Sequence, residues 1–451
     1  MPINDSEPPR FKRRWCQFSL GALLLVMLVF VVTVGWIGSR MLRARGNRDW
    51  AATSEKEIKK AVAAIEESGG EVTSEYEQRR SQTWLEELFD DPGGSDDPVG
   101  VLNVSRVDLH PNIFPDGPSD TDGVLKHVSV LRSLQSLVLH STNLTDVGIE
   151  QLEGLTALRT LNLNGTLVTD AGLEHLKGLK DLRTLLIDGC QIKDSGLEHV
   201  RGLLNLQELD CGSTQVTNAG LEHLSGLTAL RRLNLRNTRV ADAGLVHLKG
   251  LEELEDLDLA YTKVTSAGLE HLKGLTELRS LDIEGTNVTT AGLKHLKGLT
   301  NLRFLNLIQT KVTDAGLVYL KGLTKLQDLA LAELPVTDVG LEHLKGLTSL
   351  RVLSLSETKV TGAGLEHLKG LTRLHSLSLG DTGVTDAGLE HLKGLTTLHW
   401  LSLDDTGVTD AGLEHLRGLT NLEVLYVDYT KVTDEGVKKL QQALPNCKIS
   451  H

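Results

Sequence analysis

The chain has 451 residues, of which only 4% are aromatic, with 44 glycines and a formal net charge of −13. The first 49 residues hold eight Lys/Arg against three Asp/Glu, a net of +5, so the remainder carries −18. A body that acidic argues against nucleic acid as the main partner, because phosphate binding needs a basic face.

Residues 1–14 form a basic tail containing Arg10, Lys12, Arg13 and Arg14. Residues 15–39 contain no charge, and Phe18 to Ile37 is a 20-residue apolar run. At about 1.5 Å per residue it spans a hydrocarbon core of about 30 Å. Trp15 and Trp36 lie near its ends, where amphipathic rings favour the interface. A cleaved signal would have a shorter apolar core and a small-x-small site, whereas WIGSRMLRARG follows here. The expectation is a single-pass anchor. Arg40, Arg43, Arg45 and Arg48 nearly balance the N-terminal charges. The denser N-terminal cluster favours a cytoplasmic N-terminus and an extracytoplasmic body.

Residues 40–100 read as a juxtamembrane linker or N-terminal cap. Ile58, Val62 and Ile65 share one helical face, and Gly69-Gly70 ends it. Trp84, Leu85, Leu88 and Phe89 form a second short stripe, and PGGSDDP (92–98) marks a boundary.

From Leu134 the pattern LxxLxL returns every 24 residues, thirteen times without a slip, over residues 134–445. A degenerate unit, 104–133, precedes it, and 446–451 reads as a closing cap. Position 1 is the first Leu of each unit. Positions 4 and 6 point to one side of a strand, toward the core, and positions 3, 5 and 7 point away from it. Position 9 is Thr in eleven units, Cys190 in one and Leu334 in another, and its hydroxyl is expected to bond backbone groups of the next coil. Position 13 is always Asp, Asn, Ser, Thr or Gly, the N-cap set, so Asp386 and its counterparts are read as helix caps and not as metal ligands. Gly at position 15 implies close coil approach or an unusual backbone angle. Gly at position 21 reads as a left-handed helix stop. Glu at 17 and Lys at 20 form surface pairs. The ten-histidine ladder at position 18, His175 to His415, lies on a solvated face.

The LxxLxLxxTxVTDxGLxxLxxL form resembles the leucine-rich repeat, specifically its cysteine-containing subclass with Thr in place of Cys or Asn. The whole layout is similar to membrane-anchored repeat proteins of planctomycete-type bacteria, through Phe18-Ser19-Leu20, Ala64-Ile65 with Gly69-Gly70, and the repeats over 101–451. The resemblance implies an α/β solenoid, with a curved parallel sheet on the concave face and short helices on the convex face. It implies no activity.

Function is then sought where the units disagree. At the C-terminal end Trp400, Tyr426 and Tyr429 stand beside Asp381, Asp404, Asp405 and Asp428. Aromatics among charges are an interface composition, and the acids favour a basic partner. The alternative is that these rings cover the last strands. Arg232 and Arg236 lie near Asp210, Asp258 and Glu284 and are expected to pair across strands, while Phe304 and Ile308 form an apolar spot. No phosphate loop, nucleophile elbow, HExxH or CxxC pair is present, and Cys16, Cys190, Cys211 and Cys447 show no zinc spacing. No catalytic residue, metal, cofactor or small-molecule substrate is expected. The sequence reads as a membrane-tethered scaffold for protein partners, with a passive envelope component as the alternative.

Overall fold

The structure is a computed structural model that describes residues 56–68, 70–77, 101–109 and 121–451. The chain divides into two compact units, Met1–Lys60 with Gln78–Leu102, and Ala61–Glu77 with Asn103–His451. The first lies almost wholly outside the described residues, as do the expected anchor, the stripe at 84–89 and the boundary at 92–98. Among the described residues, no helix is long and apolar enough to cross a membrane.

The repeat unit is built on one sheet. β1 (Glu71–Glu77) and β2 (Val101–Asp108) are followed by thirteen three-residue strands, β3 (Ser136–Val138) to β15 (Val424–Tyr426), and by β16 (Lys448–Ser450). The sixteen strands are neighbours in chain order, and β2 to β16 pair in parallel. From β3 to β16 every residue pairs with the one 24 later, as Phe304 does with Asp328. An unbroken 24-residue period thus becomes an unbroken register. Each strand covers positions 3 to 5, and the leucines at positions 4 and 6 are buried, as expected. Each buried leucine contributes about 1.5–3 kcal/mol, shared between coils because its neighbours belong to adjacent units.

Residues 56–67 are helical, with Ala61 and Ile65 buried. A Cβ on Gly70 would strike the side chains of Leu109 and Ile65, so the chain leaving this helix lies directly against the first coil. At the other end the last helix, Asp434–Ala443, outruns its counterparts and delivers β16.

Three local expectations are corrected. First, the position-13 carboxylate does not cap its own helix. The cap residue is the Thr before it: Thr145, Thr169 and Thr217 are extended, and each hydroxyl accepts the N–H two residues on. The aspartate instead reaches into the next coil. Asp146 accepts from the Thr169 backbone N–H at 2.8 Å and from the Thr169 hydroxyl at 2.6 Å. Asp194, Asp242, Asp314, Asp338, Asp386 and Asp410 repeat this two-point bond. The same contact explains the glycine at position 15: a Cβ on Gly172 would sit 2.5 Å from Asp146 Oδ1. Of the two roles expected for that glycine, close approach is the one observed.

Helix type follows the carboxylate. Where position 13 is Asp or Asn, the coil opens with an α-turn, whereas Ser266, Thr290 and Gly362 belong to coils with only 3-10 stretches, Gly268–Leu272, Thr290–Leu296 and Gly364–Leu368. These three coils lack the position-13 acid or amide on which every α-turn of the repeats opens.

Second, the position-9 hydroxyl bonds its own coil. Thr142, Thr166 and Thr238 donate to the carbonyls of Leu139, Leu163 and Leu235 at 2.7 Å. Cys190 reaches the preceding coil instead, donating to Leu163 O at 3.0 Å. Cys190 and Cys211 are buried free thiols, and burial pushes both above the ordinary thiol range. Third, the position-21 glycines are not left-handed. Those at Gly226, Gly274, Gly298 and Gly322 face open space, and nothing in the structure explains their recurrence. The left-handed residue is position 8, in all thirteen units: Gly165, Gly189 and Gly285, and ten non-glycines from Ser141 (φ 59°) to Tyr429 (φ 57°). In eleven of the units the sheet ladder holds it there, since its N–H donates to the position-7 carbonyl of the next coil, as from Asp405 to Asp428 at 2.9 Å. That reversal swings position 9 back beneath the position-6 carbonyl.

Candidate functional site: the strand face

The open face of the sheet is lined by positions 3, 5 and 7, with position 8 along one edge. Position 5 is anchored wherever it is Asn or Asp. Its Oδ1 accepts the N–H two residues on, as in Asn162 to Asn164 (3.0 Å), Asp258 to Ala260 (2.8 Å) and Asp282 to Glu284 (2.9 Å). These side chains close the strand end, so their polarity serves the fold first.

In the middle of the face the arginines pair across strands, partly with other acids than expected. Arg232 donates to Glu208, its register neighbour, at 2.6 Å. Arg236 lies 3.4 Å from Glu284 and 3.8 Å from Asp282, with its guanidinium 4.7 Å from the centre of the Tyr261 ring. The Tyr261 hydroxyl donates to Glu284. Asp210 and Asp258 form no ion pair with either arginine, because Glu208 and Glu284 lie on longer side chains that reach them first. A hollow of about 360 Å³ lies over this stretch, lined by Glu208, Asp210, Arg232, Asp256, Asp258 and Phe304. Burial, with the charges of Asp282 and Asp210 adding to it, pushes the Asp258 carboxyl up to about 6. Burial also raises Asp210, Asp256 and Asp282. Phe304 and Ile308 are both half-buried, so the apolar spot is less exposed than its composition suggests.

At the C-terminal end Trp400 and Tyr426 meet diagonally, ring centroids 5.8 Å apart and tilted by 55°. Trp400 is half-buried and Tyr426 is exposed. Tyr429 is 89% exposed and covers nothing. Asp404 is tied into the coil: it accepts from the Ser402 hydroxyl at 2.7 Å and from the Asp428 N–H at 3.0 Å. Asp381, Asp405 and Tyr429 all occupy the left-handed edge position, and Glu333 and Glu357 precede them there. The result is an exposed acidic row leading to an exposed aromatic ring. Sequence reasoning missed this edge and the part played by Tyr261. The three glycines at position 8 are the signal that could have found it.

The histidine ladder brings no set of ligands together: among the described residues, no group of three or more His, Cys, Asp or Glu is placed to hold a metal ion.

A family model described as Leucine rich repeat matches residues 132–192 and 229–288, and a second of the same description matches 418–440. An internalin, InlF, from Listeria monocytogenes is similar in structure, with 26% identity over 76% of this chain and 96% of its own, at a TM-score of 0.61. The Leptospira interrogans leucine-rich-repeat protein LIC12759 is similar at 22% identity, over 72% of this chain and 86% of its own, at a TM-score of 0.57. No curated protein matches the chain.

Proposed function

We propose that this leucine-rich-repeat protein is a non-enzymatic scaffold whose strand face binds a protein partner, with the C-terminal edge around Trp400, Tyr426, Tyr429 and the acidic row as the contact. One observation carries the reading. Tyr429 holds a left-handed backbone, which is a genuine outlier for a bulky residue, yet its ring is 89% exposed. Tyr261 occupies the same position and uses its ring to stack on Arg236. Tyr429 has no such internal use: it takes the backbone that all thirteen units share at position 8 and leaves its ring to solvent. Exposed aromatics beside acids suit a basic partner surface. Residues 15–39 would tether this scaffold to a membrane with the repeats outside the cytoplasm.

The full chain, immobilised and titrated with partners captured from its own cell extract, tests the reading. A saturable partner should be lost on Trp400→Ala or Tyr429→Ala, with the unfolding curve unchanged. Failure of every captured protein to saturate, or saturation indifferent to both variants, would leave a passive structural component as the better description. A reporter fused after His451 tests the topology, and a cytoplasmic signal would reverse the proposed orientation.

A further inference from the structure

On the helix side of the repeats, positions 17 and 20 turn from paired to basic over four consecutive coils. In six coils the position-17 Glu lies within 4 Å of the Lys or Arg three residues on: Glu174–Lys177 (3.1 Å), Glu270–Lys273 (3.1 Å), Glu342–Lys345 (3.9 Å), Glu366–Lys369 (3.9 Å), Glu390–Lys393 (3.7 Å) and Glu414–Arg417 (2.9 Å). Across the four consecutive coils from Asp242 to Lys321, position 17 becomes Val246, Glu270, Lys294 and Val318, while position 20 stays lysine throughout: Lys249, Lys273, Lys297 and Lys321. At positions 17 and 20 five exposed lysines there stand against one glutamate, with Glu252, Glu253 and Glu277 following at positions 23 and 24. The same stretch loses two position-13 carboxylates, to Ser266 and Thr290. A hollow of about 610 Å³ opens between the two coils so altered, lined by Ser266, Glu270, Lys273, Lys294 and His295. Val246 and Val318 stand exposed at either side of the band.

The strand-face edge carries the opposite ladder. Position 8 is Glu333, Glu357, Asp381 and Asp405 in four consecutive coils, all exposed. Glu333 accepts from the Gln309 amide at 2.9 Å. Among the described residues, no ion pair to Lys, Arg or His forms at any of the four. Each ladder has one rung per coil and runs four coils, on a body whose charge is otherwise strongly negative.

We propose that the lysine band of one molecule docks on the acidic row of a second copy of this chain. The occupant is fixed by charge complementarity. The band is a run of exposed lysines that an acidic partner fits, and the chain itself presents an acidic row of the same number of rungs. The two surfaces differ, so the contact is heterologous and leaves a free band and a free row at the ends of any assembly. The contact deepens the reading above by naming one occupant for the acidic part of the strand face, but it does not use Trp400 or Tyr426.

Sedimentation of the full chain, solubilised in detergent, tests this by charge exchange. Wild type should assemble with rising concentration. Reversing the band (Lys249→Glu, Lys273→Glu, Lys297→Glu, Lys321→Glu) should weaken assembly by at least about tenfold, roughly 1.4 kcal/mol. Reversing the row (Glu333→Lys, Glu357→Lys, Asp381→Lys, Asp405→Lys) should do the same. Mixing the two variants should restore assembly, and so should combining both reversals in one chain. Unchanged melting curves confirm that both variants fold. A monomeric wild type, assembly indifferent to either reversal, or no restoration on mixing would each overturn the proposal. A monomeric wild type that binds a polyglutamate peptide through the band would replace the second copy with another acidic partner. Trp400→Ala should leave assembly intact, so loss of the captured partner and loss of self-association are separate outcomes.

Discussion

The two sides of each coil carry carboxylates under opposite conditions. On the helix side Asp146 meets two donors from the next coil, at 2.8 and 2.6 Å. Its counterpart Asp410, with the same two donors on Thr433, is held below the usual carboxylate range by those bonds. On the strand face Asp258 has one backbone donor, a half-buried setting and acidic neighbours, and its carboxyl rises to about 6. Asp410 is fastened by ionisation and Asp258 is strained by it. A residue that most coils use to grip their neighbour belongs to the scaffold, and charge held against its own tendency marks the surface where the coils differ.

The sharpest way to break this comparison is to fill the space the helix-side carboxylate occupies. Gly172→Ala puts a methyl 2.5 Å from Asp146 Oδ1, against a carboxylate that cannot retreat without losing Thr169. Overpacking and a lost charged hydrogen bond together should cost about 3 kcal/mol. Gly178→Ala, six residues on in the same coil, meets only Glu153 O at 3.8 Å and should be neutral or stabilising by up to about 1 kcal/mol. Urea midpoints of the two variants measure the difference. Equal effects would show that the glycines recur for a common backbone reason and not for this contact.

Removing the carboxylate itself comes next. Asp146→Ala should cost about 2 kcal/mol, because the Thr169 N–H loses a charged acceptor. In that background Gly172→Ala should lose the part of its penalty that Asp146 causes and keep only the 2.9 Å approach to Val168 Cγ1. Additive effects in the double variant would separate the two and sink the single-contact explanation.

Most of the scaffold was legible in the sequence because a strict period fixes both register and face. Thirteen copies of LxxLxL placed the leucines of positions 4 and 6 in the core, and the variation at position 13 marked Asp386 as scaffold, in keeping with its bonds to Thr409. The partner of that aspartate was not legible, since a bond from one coil to Thr in the next leaves the same residue preference as a bond within the coil. The left-handed edge was hidden for a related reason. Tyr261 and Glu333 occupy it without glycine, because the ladder bond to the next coil imposes the conformation. At the strand face, composition brought Arg232 and Arg236 near acids but could not choose between acids of different reach, so Glu208 went unnoticed beside Asp210.

The smallest effect sharpens the strand-face half of the comparison. A carboxyl whose folded pKa of about 6 exceeds its unfolded value near 4 binds its proton more tightly in the folded chain. Its contribution therefore falls as pH rises from about 4 to 6 and stays unfavourable above that. A rise of that size corresponds to just under about 3 kcal/mol, and partial solvent access reduces this to about 1 kcal/mol. Asp258→Asn keeps the Oδ1 acceptor for the Ala260 N–H and removes the charge. It should raise stability at pH 7 by about 1 kcal/mol and flatten the slope between about pH 4 and 6. Asp410 sets the opposite sign: its lowered pKa contributes stability above its unfolded value, lost as pH falls through the folded one. Urea midpoints at about pH 4, 5, 6 and 7 for wild type and Asp258→Asn read the difference directly. A variant that is less stable at pH 7 would mean that the ionised carboxylate is favoured where it stands, and that Arg236 reaches it after all.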